Sequence, residues 1–197
     1  MKTNLLKILG PWHQGCVLDK HTVKSVPIGT WANGHTRFDT TYTEIGDALF
    51  QLKYRSDYSK IEPLASVLNK VVTSEKMNDI GFIVPMPPSD TTRSRQPVIE
   101  LSKRLAFKLN KPCFTDILKK SKTDTPLKNV GTKLQKIELL DGKFSINKSI
   151  TNPEKGPWNV LLVDDLYHTG ASMEEAVKAL KTYECINQIY VIALTWR

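Results

Sequence analysis

The chain of 197 residues is poor in cysteine: Cys16, Cys113 and Cys185 stand far apart, with no C-x-x-C pair. This argues against a zinc ribbon and against a disulfide framework. No apolar run approaches the ~20 residues of a membrane-spanning helix. Lys7 interrupts the first residues before a signal-peptide core can form, so cytoplasmic residence and no membrane association are expected. A G-x-x-x-x-G-K-[ST] loop is missing, which excludes a P-loop nucleotidase. Internal repeats are missing too.

What is present is a soluble-type composition, 40% hydrophobic and 24% charged, enough for one domain, or one domain with an appendage. The most informative stretch is residues 159–172, NVLLVDDLYHTGAS. The apolar run 160–163 reads as a buried parallel strand ending in two adjacent carboxylates, Asp164 and Asp165. Thr169, Gly170, Ala171 and Ser172 follow, and then a helical face of Met173, Ala176, Val177 and Leu180. A small-residue, hydroxyl-bearing loop at a helix start offers backbone N–H groups to a phosphate. Paired acids at a strand end accept hydrogen bonds from vicinal sugar hydroxyls. A sugar phosphate satisfies both halves. The competing readings are a receiver-type acidic strand end, which belongs near the start of a domain, and acids that merely cap the helix.

Alternating periodicities along the chain predict an α/β fold with a mainly parallel sheet flanked by helices. Residues 15–39 read as extended, with a hairpin turn at 32–35. Thr41 and Glu44 have capping-box spacing ahead of a helix through Ile45, Ala48, Leu49 and Leu52. Further helices are expected from Pro63, from Pro97 and over 133–140, and strands over 80–84, 113–118, 160–163 and 189–194. The division expected is a small N-terminal hood over 1–40 and an α/β domain over 41–197. Residues 119–132 are polar, basic and turn-rich and read as a mobile loop.

The net charge of +8 is concentrated: residues 93–136 hold twelve Lys/Arg against three Asp/Glu. A small polyanion, a nucleic acid or a solvated lysine face would each account for it. Only Phe107 and Phe114 lie in that segment, too few for a single-strand stacking platform. The small polyanion is therefore favoured, with a nucleic-acid or protein partner kept open.

Residues 159–172 closely resemble the phosphoribosyl-pyrophosphate (PRPP) motif of the type I phosphoribosyltransferases. Within that group the chain looks most like the ComF-like enzymes of bacterial competence. Residues 52–57, LKYRSD, resemble their L-K-Y-R-G-D segment; Val84-Pro85-Met86-Pro87 with Arg93 and Arg95 resembles their V-P-x-P loop; residues 122–126, KTDTP, resemble their active-site loop. The chain departs from them in lacking the N-terminal zinc module, in Ser56 for the usual glycine, and in Arg95-Gln96-Pro97-Val98 where R-G-F-N-Q is usual.

The resemblance implies Mg²⁺-dependent transfer of ribose 5-phosphate from PRPP to a nitrogen acceptor, with release of pyrophosphate. On this pattern Asp164 and Asp165 bind the ribose hydroxyls and Mg²⁺, and residues Thr169, Gly170, Ala171 and Ser172 cradle the 5′-phosphate. Arg93, Arg95 and Lys122 would face pyrophosphate, with Lys119, Lys120 and Lys128 on the same loop. Asp165 and His168 are the catalytic candidates; His168 stands where purine enzymes carry an acid and is read either as a proton acceptor or as a loop residue. His13, His21 and His35 show no ligand spacing. The acceptor would be recognised by a hood from residues 15–40 and 195–197, with Trp31 and Trp196 either stacking on a base or serving the core. The alternative is a non-catalytic PRPP or nucleotide sensor or adaptor of competence type, acting with a protein or nucleic acid. Oligomeric state is open.

Overall fold

The computed structural model describes residues 1–90, 92–122, 132–147 and 156–197. Its centre is a five-stranded sheet of β1 (Leu6–Lys7), β2 (Gln14–Lys20), β9 (Ile186–Trp196), β8 (Trp158–Tyr167) and β5 (Ile80–Pro85), in that order. β1 is antiparallel to β2; β2, β9, β8 and β5 run parallel. The parallel strands are buried on both faces, as their unbroken apolar runs require. Alternation divides them cleanly. Leu161, Val163, Ile192 and Leu194 join one core, under α1 (Glu44–Tyr54), α2 (Ile61–Ser74) and α3 (Pro97–Leu109). Val160, Leu162, Val191 and Ala193 join the other, under α5 (Ala171–Leu180), with Leu140 of α4 (Lys133–Leu140). The expected α/β architecture is therefore present.

The N-terminal region expected as a hood divides in two. Residues 6–20 pair into the central sheet, whereas β3 (Thr22–Thr30) and β4 (Thr36–Tyr42) form a separate antiparallel hairpin. Its turn lies where 32–35 was read, closed by Trp31 N–H donating to His35 O at 2.8 Å. Other boundaries shift. The cap of α1 is Thr43, whose hydroxyl accepts from Gly46 N–H at 3.0 Å, and not Thr41. Helix α2 starts at Ile61, two residues before Pro63, because a 3-10 turn over Tyr58–Lys60 leads into it. Of the strand expected over 113–118, only Cys113 bridges to Ile83. Regular pairing begins at β6 (Leu118–Lys120), against β7 (Phe144–Ile146).

Close backbone approach fixes where α1 begins. A Cβ on Gly46 would lie 1.9 Å from His21 O, so only glycine lets the helix start press against the end of β2. His21 itself is buried, its Nδ1 3.1 Å from Thr195 Oγ1. Its ring stands edge-on to Tyr42, which continues an aromatic row through Phe50 to Tyr54. No described helix is long and apolar enough to cross a membrane.

Candidate functional site

Helix α3 follows β5 onto one face of the sheet, and α5 follows β8 onto the other. In an open α/β sheet the crevice lies where such neighbouring connections diverge, beyond the carboxyl ends of the strands. A cavity of about 610 Å³ occupies that place. Met86, Pro87 and Ser89 wall it on the β5 side, and residues 164–173 on the β8 side; Lys120, Lys136 and Arg197 complete it. Asp164, Asp165, His168, Thr169, Gly170, Ala171 and Ser172 are thus brought together.

Strand β8 runs four residues beyond the expected end at Val163, with Leu166 and Tyr167 still paired to Thr195 and Trp196 of β9. The loop is correspondingly short. Gly170 turns it into α5 at φ +84°, and no side chain caps that helix. A Cβ at Gly170 would meet Tyr167 Oη at 2.6 Å, so glycine is required both by conformation and by space. The open helix start supplies unpaired N–H groups and a positive dipole end toward the cavity.

The two carboxylates differ. Asp165 is ion-paired with Lys53 of α1 at 2.9 Å, both side chains largely buried. Burial opposes the Lys53 charge, but the contact with Asp165 and the field of Asp164 outweigh it and raise the ammonium's pKa. Asp164 accepts the Asp165 N–H at 2.7 Å. Burial, then the adjacent Asp165 charge, push its carboxyl up to about 7. The site thus holds an acid that an incoming cation would ionise. Two adjacent carboxylates suit Mg²⁺, which binds one or two protein carboxylates and takes its remaining ligands from water and substrate phosphates. Among the described residues no cluster of three or more His, Cys, Asp or Glu is built to hold a metal unaided.

His168 lies against a residue that the sequence reading did not single out for the site. Lys136, buried on α4, has Nζ 3.2 Å from His168 Nδ1. Burial, then the charges of Lys136 and Arg197, lower the His168 pKa and so favour the neutral ring. An ammonium only donates, so Nδ1 accepts and the proton sits on Nε2. In that tautomer His168 presents a donor toward a ligand.

The expected pyrophosphate groups are placed elsewhere. Neither Arg93 nor Arg95 lines the cavity. Arg93 pairs with Asp90 at 3.4 Å; Arg95 pairs with Glu100 at 3.0 Å and lies 3.8 Å over the Tyr58 ring. Lys122 is exposed beyond β6 and outside the lining, and Lys119 is exposed. Lys120 does reach the cavity, with Nζ 3.2 Å from Ser89 Oγ. Residues 123–131 of the expected loop, Lys128 included, lie outside the described residues. Trp31 is exposed at the hairpin turn beneath Arg37, and Trp196 packs against the core. His13 stands edge-on to Tyr190 and His35 is an exposed turn residue.

No family model matches the chain, and no curated protein matches its sequence. Solved structures do resemble it. Adenine phosphoribosyltransferase from Trypanosoma brucei is 13% identical, covering 98% of this chain and 74% of its own, with a TM-score of 0.50. The adenine phosphoribosyltransferase of Thermoanaerobacter pseudethanolicus is 14% identical over 89% of this chain and 96% of its own, at 0.46. That of Saccharomyces cerevisiae is 15% identical over 86% and 83%, at 0.45. On the overlap with the Trypanosoma enzyme, together with the parallel sheet and its flanking helices, this chain has the fold of the type I phosphoribosyltransferases.

Proposed function

We propose that the chain is a Mg²⁺-dependent phosphoribosyltransferase, transferring ribose 5-phosphate from PRPP to a nitrogen acceptor. The observation that carries this reading is the meeting of Asp164 and Asp165 with the uncapped start of α5 in one cavity beyond the parallel strands. The backbone N–H groups around Gly170 and the hydroxyls of Thr169 and Ser172 would hold the 5′-phosphate. Asp164 and Asp165 would accept from the ribose hydroxyls and hold Mg²⁺, with Lys53 fixing Asp165 in place. Mg²⁺ held there would offset charge on the departing pyrophosphate. As the bond from the anomeric carbon to pyrophosphate breaks, positive charge develops on the sugar, and the two carboxylates stabilise it electrostatically. The incoming nitrogen then forms the new bond. Lys120, on the β5 side, would meet pyrophosphate in place of the expected arginines.

Titration calorimetry with PRPP and Mg²⁺ tests this. Binding is expected, and the double variant Asp164→Asn, Asp165→Asn is expected to lose it. No binding at millimolar ligand, or binding that ignores the double variant, defeats the reading.

One observation favours a second reading. With Arg93 and Arg95 paired outside the cavity, a PRPP-binding sensor or adaptor of ComF type would need no pyrophosphate clamp. Pyrophosphate release that requires a nitrogen acceptor discards the sensor. PRPP binding without release, joined to a salt-dependent DNA affinity that falls when Lys119 and Lys122 are neutralised, favours it.

A further inference from the structure

Lys136 is 7% exposed, yet it belongs to no ion pair among the described residues. Lys133, one turn earlier on α4, is satisfied by Glu174 at 2.6 Å. Among the described residues the Lys136 ammonium has one partner, the His168 ring, which leaves two of its three N–H donors without a described partner in a cavity it helps to line. A buried cation without a counter-charge is costly, and proteins normally supply the charge or expel the cation. Arg197 also lines the cavity, and with Nδ1 accepting from Lys136 the His168 ring presents Nε2–H. Of the two carboxylates in the cavity lining, Asp165 is already engaged by Lys53. A ligand anion would supply the counter-charge that the described residues do not.

We propose that Lys136, aligned by His168 Nδ1, is an anion-recognition residue of this cavity, and that with His168 Nε2–H it binds a phosphate or carboxylate oxygen of the ligand. The inference deepens the phosphoribosyl-transfer reading and rests on it for the ligand's identity. The anion is either the phosphate of the sugar or a carboxylate on the acceptor. Both present the planar or tetrahedral oxygens that an ammonium and an imidazole N–H meet with charge-assisted hydrogen bonds. His168 is here a binding and positioning group.

Two probes separate the sources: ribose 5-phosphate and pyridine-3-carboxylate, each titrated into wild type, Lys136→Met and Lys136→Arg. Lys136→Met is expected to weaken one of them ~10-fold or more, with Lys136→Arg restoring most of the loss. Loss confined to ribose 5-phosphate assigns Lys136 to the phosphate; loss confined to pyridine-3-carboxylate assigns it to the acceptor. Less than twofold change for both overturns the proposal while ribose 5-phosphate binding by wild type keeps the broader reading intact. Wild type that binds neither probe overturns both. Nitrogen-15 NMR of the His168 ring in wild type serves should the methionine variant not fold. Protonated Nε2 with unprotonated Nδ1 is expected, and the opposite tautomer overturns the proposal.

Discussion

Gly170→Ala is the substitution on which the loop geometry bears most directly. The residue sits at φ +84°, where an L side chain pays roughly 1–2 kcal/mol. Its new Cβ would stand 2.6 Å from Tyr167 Oη and 3.2 Å from both Tyr167 Cζ and Glu174 Oε1. Tyr167 lies on a strand paired to Trp196, so its ring yields only partly, and such overpacking costs about 1–2 kcal/mol more. The sum is roughly 2–4 kcal/mol, which for a chain of this size lowers Tm by roughly 4–16 °C. Thermal unfolding followed by circular dichroism measures it. A double-mutant cycle separates the two costs. In a Tyr167→Phe background the nearest atom is gone while the ring carbon remains, so the glycine substitution is expected to cost about 1 kcal/mol less. The backbone part should persist unchanged. A Gly170→Ala protein melting within about 2 °C of wild type would refute the argument. So would an equal cost in both backgrounds.

Two further outcomes follow from the charges. Asp164 titrates near 7 in the fold against 3.8 unfolded, so the native chain holds the extra proton in that window and loses stability as pH rises through it. Asp164→Asn should therefore match wild type near pH 4 and exceed it at pH 8, by about 1–3 kcal/mol after allowing for solvent and for the coupling to Asp165; denaturant titrations at the two pH values test this. His21 runs the other way. Burial, then the charges of Arg197 and Lys53, lower it from 6.5 to about 4, so stability is lost as pH falls from about 6.5 through 4. His21→Asn should flatten that acid limb by up to about 3 kcal/mol, and an unchanged limb would show that the ring does not stay neutral.

Much of the architecture was legible because it is written locally. The 159–172 stretch announces itself through an unbroken apolar run, paired acids and a glycine at a helix start; α3 begins at the proline that marks it, and α4 covers the expected 133–140. The limits are equally physical. Parallel pairing of β2 with β9 joins residues far apart in sequence, and no periodicity reports on such a partner. Arg93 and Arg95 read as anion ligands by type, but Asp90, Glu100 and the Tyr58 ring hold them elsewhere. Lys53 and Lys136 are lysines on amphipathic helices, which ordinarily means surface. One signal did exist for Lys136: it stands four residues before Leu140, on the face of α4 that is buried.

The place of β2 in the sheet has a consequence for how the chain acquires its structure. Residues 14–20 have their parallel neighbour in Ile186–Trp196, so the edge of β2 opposite β1 stays open at Cys16, Val17 and Leu18 until a segment far along the chain has been made. Sheet closure bridges a long loop, and the entropy of that closure slows it. Until β9 arrives, three wholly apolar side chains on an open strand edge are available to other chains, and the window for misassembly is set by the rate of elongation.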